Sequence, residues 1–196
     1  MRKNLLIGLG LFALSATVVA GVTWPWGDET DRSGYRTEAA PVIYRSFEDA
    51  QNQHDATLVV TVVSRDGTYV DDGGDGKPDF PGDPGLSMEY LTVVVDDVLK
   101  GDELLVGAEL TVVQSERGTM SETTAEEHMV PGNAYVIIAS EYESNPGTLE
   151  GKAWATPLAG QGVFPLIDGD VVPTRSDVFP ETFNHGSIPL AALDQD

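Results

Sequence analysis

The sequence predicts an all-β fold, a small antiparallel barrel of about five to seven strands entered through one short helix. Three observations lead there. Runs rich in Val, Ile and Thr recur between turn signals from Thr57 to Pro173. No stretch between those runs is long and periodic enough to be a crossover helix, which disfavours a parallel sheet. Closure would also hide sheet edges that apolar strands otherwise leave open to pairing.

The elements follow in order. Ser46 to Gln53 (SFEDAQNQ) predicts a helix of about two turns, with Ser46 as cap and Glu48 and Asp49 in the first turn. Thr57 to Ser64 (TLVVTVVS) reads as the first strand and ends toward Asp66-Gly67, a turn pair. Met88 to Val98 (MEYLTVVVDDV) is the second, closed by Lys100-Gly101-Asp102, and Glu109 to Gln114 the third. Ala134 to Ser140 (AYVIIAS) is the fourth, entered through Pro131-Gly132-Asn133, and Lys152 to Thr156 a short fifth. Gly162 to Ile167 and Asp170 to Pro173 form a hairpin around Asp168-Gly169. Trp154, Tyr90, Tyr135 and Phe164 fall on these strands and are assigned mainly to the core. A seven-stranded sandwich of immunoglobulin type is the alternative, without that fold's Trp-plus-disulfide core.

The 196 residues suit one domain of ordinary size, and 41% hydrophobic content supplies a core. The 32 acids against 11 bases give a formal charge of −21, which argues against a nucleic-acid partner. With no cysteine, the chain has no disulfide scaffold, thiol nucleophile or zinc–thiolate site. The acidity fits either adaptation to salt or an acidic surface for a partner.

Met1-Arg2-Lys3-Asn4 followed by the uncharged run Leu5 to Val22 has the layout of an export signal. Two readings stand. Val18-Val19-Ala20 before Gly21 is an acceptable cleavage site, which makes residues 1–22 a signal peptide. Eighteen helical residues also span about 27 Å, enough for an uncleaved membrane anchor with Trp24 and Trp26 at the interface. In both, the rest of the chain is exported, either secreted or held at the cell envelope. Residues 23–45 read as a linker, 46–175 as the barrel domain and 176–196 as a C-terminal tail.

Several segments form a recognisable series: Leu58 to Val63, Val94 to Asp102, Val106 to Val112, Pro131 to Ile137, and Gly160-Gln161-Gly162-Val163-Phe164 with Asp168-Gly169. The series resembles uncharacterised exported bacterial proteins of actinobacterial type. The resemblance implies an OB-like barrel, similar in outline to netrin-like and metalloproteinase-inhibitor domains. The motifs are turns and core strands, so they carry fold rather than catalytic residues. Inhibitors of that outline chelate the target's metal through an N-terminal cysteine, which this chain lacks.

One segment carries chemistry of its own. Asp71 to Asp83 (DDGGDGKPDFPGD) holds five carboxylates in thirteen residues. Calcium takes six to eight oxygens from such Asp side chains and Gly-rich backbone. Asp71, Asp75, Gly76 and Asp79 fit positions 1, 5, 6 and 9 of the calcium-loop pattern, and the run is similar to dockerin loops. Position 3 is Gly73 and position 12 is Gly82, with Asp83 one residue beyond, and no helix flanks the run. Two readings stand: a calcium-ordered loop held by Asp71, Asp75, Asp79 and Asp83, with Asp72 as a further donor, or a solvated turn built of ordinary turn residues.

His54, His128 and His185 are far apart and read as surface residues at segment ends. The chain has no hydrolase elbow, phosphate loop or dinucleotide fingerprint. The pairs Asp96-Asp97 and Glu126-Glu127 follow from composition, and neighbours on a strand face opposite sides. No catalytic residue and no cofactor other than calcium is assigned. The function expected is a non-enzymatic exported or cell-envelope binding domain, whose partner is a protein or an envelope component, with the membrane touched only through residues 5–22 if uncleaved. The alternatives are an exported hydrolase, which needs a mutually close His–acid–Ser set, and a secreted protease inhibitor.

Overall fold

The computed structural model describes residues 42–71, 85–117, 127–143, 152–183 and 186–193, all within the unit Gly34–Asp196. The segments expected as export signal and, for the most part, as linker, and the acidic run beyond Asp71, lie outside the described residues.

The helix α1 spans Phe47–Gln53, and the Ser46 side chain accepts the Asp49 N–H at 3.0 Å. The strands are β1 (Ala56–Asp71), β2 (Leu86–Lys100), β3 (Glu109–Ser115), β4 (Ala134–Glu143), β5 (Lys152–Ala155), β6 (Val163–Ile167), β7 (Asp170–Val171) and β8 (Ile188–Pro189). They join in the order β1-β2-β3-β5-β4-β6-β7-β8, and β1 also pairs with β4. The first five strands therefore close into a ring, 1-2-3-5-4-1, which is an OB-like barrel rather than two facing sheets. All pairings are antiparallel except β3–β5, where Val112 and Val113 run parallel to Trp154 and Ala155. The sequence predicted an antiparallel barrel, and this one short parallel contact is the joint that shuts it.

The β1–β2 pair is the long arm of the barrel. Its register slips at Thr57/Leu58, Val59/Val60, Val62/Ser64 and Arg65/Gly67. Each slip adds a residue on one strand, bends the pair and increases its twist, which lets strands of 15 and 16 residues curl around a narrow interior. Turn chemistry sets the rest. Asp168 (φ 52°) and Gly169 (φ 88°) are both left-handed, the two-residue hairpin loop predicted from Asp-Gly. Gly162 sits where a Cβ would lie 2.5 Å from Pro157, so only glycine lets that turn fold against β6.

Two apolar cores share β1 and β4. The barrel interior holds Leu58, Val60, Val62, Leu91, Val93, Val95, Val112, Tyr135, Ile137 and Trp154. The outer side of β1 and β4 is a second core, where Val59, Val136 and Ile138 meet Phe47 of α1, Phe164, and Val178, Phe179 and Phe183. Phe47 packs against Phe164, Phe179 and Phe183 at centroid distances of 5.6, 5.9 and 6.0 Å. The C-terminal segment, expected as a tail, supplies three of these side chains and adds β8 beside β7.

Candidate functional site

β2 alternates strictly. Glu89, Leu91, Val93 and Val95 point inward, while Tyr90, Thr92 and Val94 face out. Tyr90, Thr92 and Val94 are half-buried on that outer face, while Asp66 beside them is exposed. On that face the Tyr90 ring lies over Gly67, where a Cβ would stand 2.7 Å from its hydroxyl oxygen. Tyr69 is tilted beside it, at a centroid distance of 6.4 Å. One step along the strand, Asp66 accepts hydroxyl hydrogen bonds from Ser64 (2.6 Å) and Thr92 (2.7 Å). The Ser64 bond first, and the Thr92 bond second, hold the exposed Asp66 carboxyl below the usual carboxylate range. Asp96 accepts from Thr61 Oγ1 at 2.6 Å further along. The outer face thus combines aromatic surface with hydrogen-bonded carboxylate acceptors.

One end of the barrel is closed by polar groups. Glu89 is almost fully buried yet sits in the inward row of Leu91 and Val93. Its carboxylate meets the Arg65 guanidinium and the Gln114 amide, and lies 3.3 Å from His128 Nδ1. Gln114 Oε1 accepts the Met129 N–H at 3.3 Å. Nearby, Ser87 Oγ donates to Glu116 at 2.5 Å, and Arg65 stands 4.0 Å from the same Glu116. A buried carboxylate is tolerated because it is hydrogen-bonded on several sides. Chemically this is a plug that ties the segment before β4 to the barrel end.

A third constellation joins the N-terminal segment to β4. Ser140 Oγ and His54 Nδ1 are 2.9 Å apart, and Tyr44 Oη is 3.0 Å from His54 Nε2. Gln161 grips the Tyr44 backbone twice, accepting its N–H and donating to its carbonyl, both at 3.0 Å. Burial first pushes His54 below the ordinary imidazole value. Asp55 opposes that shift and Lys100 adds to it. The sequence placed His54 and His128 on the surface. Both are instead partly buried and bonded, and His54 is disfavoured as a cation rather than favoured by the end of α1. His185 lies outside the described residues.

A serine within reach of a histidine is half of the set that a hydrolase requires. The other half differs here. The second imidazole nitrogen meets a phenol, and the adjacent Asp55 carboxylate accepts the Glu141 N–H at 3.0 Å. A carboxylate in that position would hold the imidazole tautomer and stabilise the imidazolium.

Of the four candidate calcium ligands only Asp71 falls within the described residues, at the end of β1 opposite Leu86. Asp75, Asp79 and Asp83 lie outside them. Among the described residues no group of three or more acids and histidines is arranged to hold a metal ion. Likewise, no described helix is long and apolar enough to cross a membrane, and residues 5–22 lie outside that search. No protein-family model matches the chain, and no curated protein sequence matches it.

Proposed function

We propose that the chain is a non-enzymatic binding domain, exported and either secreted or held at the cell envelope. Its partner contacts the outer face of β1 and β2. The observation that carries this reading is the arrangement of Tyr90 and Tyr69 beside the exposed Asp66 carboxylate on the outer side of β1 and β2. OB-type barrels bind on the face of strands 2 and 3 and on the loops between strands 1 and 2 and between strands 4 and 5, so the proposed face shares strand β2 with that surface. In this chain those connections are residues 72–85 and 144–151, and the first holds most of the acidic run with its calcium-loop spacing. Export rests on the basic start and the uncharged run from Leu5 to Val22.

The test is a photo-cross-linking amino acid at Thr92, compared with the same group at Leu104, in cells that export the tagged chain. A product from Thr92 and none from Leu104, with the tag accessible from outside the cell, supports the reading. A tag retained in the cytoplasm, or the same products from both positions, defeats it.

A second reading, an exported hydrolase, draws on one observation, the 2.9 Å contact between Ser140 and His54. It predicts turnover of p-nitrophenyl acetate that disappears in Ser140→Ala. The binding reading predicts no difference between the two proteins.

A further inference from the structure

The chemistry of the outer face also specifies what it takes. This step rests on the reading of that face as the binding surface. The Asp66 carboxylate has about four acceptor positions; the hydroxyls of Ser64 and Thr92 fill two of them and the Thr92 backbone N–H also contributes. Both hydroxyls have spent their protons on Asp66, so toward a ligand they offer lone pairs. The carboxylate and its two hydroxyls are therefore a patch of acceptors that demands a donor-rich ligand. Asp96 extends the same polarity along the strand pair.

Within strands β1, β2 and β3 no basic side chain is left free to set against this. β1, β2 and β3 carry two basic residues, Arg65 and Lys100. Arg65 is committed to Glu89 and Glu116, and Lys100 to the carbonyls of Gln51 and His54. An anionic ligand would thus meet uncompensated carboxylates on a chain of formal charge −21.

The Tyr90 ring is pinned on Gly67 one residue pair from Asp66. Same-face neighbours on a strand are about 7 Å apart. A guanidinium fits that spacing: its plane stacks on an aromatic ring while its fork of N–H donors reaches the adjacent carboxylate. A compact ammonium makes either contact as a point charge but lacks the flat fork that joins them.

We infer that the outer face of β1 and β2 binds an arginine-bearing basic peptide segment, with one guanidinium stacked on Tyr90 and paired to Asp66. The occupant is a polypeptide of charge opposite to this chain. A neutral oligosaccharide, which also stacks on aromatic rings, is the competing occupant.

The experiment titrates the full chain, in mild detergent, with three probes: an acetylated (Gly-Arg)3 amide, the same peptide with citrulline for arginine, and cellohexaose. Affinity is read by calorimetry and location by amide chemical shifts. The expected result is binding of the arginine peptide with shifts centred on Gly67, Tyr90 and Thr92, and none for citrulline. Asp66→Asn and Tyr90→Ala each weaken it about tenfold, while Tyr90→Phe, which keeps the ring, retains it. Asp168→Asn, which removes one equal charge at the β6–β7 turn, changes it less than about twofold.

Equal weakening by Asp66→Asn and Asp168→Asn would mean diffuse attraction to an acidic protein and would overturn the inference. So would equal binding of the arginine and citrulline peptides. If cellohexaose alone shifts Tyr90 and Thr92, the inference falls while the face stands as the binding surface. If no probe shifts this face, both fall.

Discussion

Replacing Glu89 by Ala should cost the fold about 3 kcal/mol, and the figure can be built from its partners. The Glu89 side chain is 5% exposed, whereas Arg65 is 49% exposed. Solvent therefore screens the Arg65 pair, whose loss is worth about 1 kcal/mol or less. Gln114 is different. It is 1% exposed, and its amide loses the carboxylate it donates to, with only His128 Nδ1 left at 3.4 Å. A buried donor left without a good acceptor costs about 1–3 kcal/mol. The methylenes of Glu89, packed in line with Leu91, add roughly 1 kcal/mol through the cavity they leave.

Urea unfolding followed by circular dichroism measures this directly. At roughly 2–4 °C per kcal/mol for a domain of this size, the melting midpoint should fall by about 6–12 °C. Glu89→Gln keeps the shape but turns amide protons toward Arg65, and should lose about 1–2 kcal/mol. Arg65→Ala should lose less than Glu89→Ala, because its charge can be hydrated. A Glu89→Ala variant within about 0.5 kcal/mol of the parent would refute the account of Glu89 as a paired interior carboxylate.

Other consequences are open to measurement. Burial lowers the pKa of His54 in the folded state, so its contribution is fully present above the unfolded value of about 6.5 and is lost as pH falls through the folded one. Stability measured at pH 8 and pH 5 should therefore change less in His54→Gln than in the parent. Gln161→Ala removes two hydrogen bonds to the Tyr44 backbone and should cost about 2 kcal/mol, with faster hydrogen exchange at the Tyr44 amide. Phe164→Ala should cost about 3–5 kcal/mol in the same unfolding assay, since its ring is fully buried between Phe47 and Phe183. With a formal charge of −21, any added salt should raise the melting midpoint by screening self-repulsion. A further rise with calcium but not with magnesium, at matched ionic strength, would assign the run from Asp71 to Asp83 as a metal site.

The parts of the fold that were legible in the sequence are those set by neighbours in the chain. Ser46 caps α1 because its acceptor and the Asp49 N–H are three residues apart. The Asp168-Gly169 hairpin follows from two residues that tolerate left-handed backbone. The polar constellations were not legible, because their members meet only after the barrel closes. Glu89 and His128 are 39 residues apart, and His54 and Ser140 are 86. A signal for Glu89 was present all the same: it shares parity with Leu91, Val93 and Val95, so a strict period-2 reading turns it inward. Asp66-Gly67 reads in the sequence as a turn that ends β1. The strand instead continues to Asp71, and Asp66 becomes the extra residue of a register slip.

The contrast between two kinds of apolar run separates strands covered on both sides from the strand that carries the proposed binding face. Residues 56–60 of β1 and 135–139 of β4 are buried without interruption. An uninterrupted run means that both sides of the strand are covered, and here α1 and the segment with Phe179 and Phe183 cover the second side. From Glu89 to Val95, β2 alternates between buried and half-buried residues, which marks a strand covered on one side only. A side chain on the covered half answers to packing. One on the outer side of β2 is free of that demand, so an aromatic ring held there over a glycine needs another reason. The glycine beneath Tyr90 weakens the strand by roughly 0.5–1 kcal/mol relative to alanine. What that cost secures is a ring held beside a fixed carboxylate, which is the pair that the proposed arginine site uses.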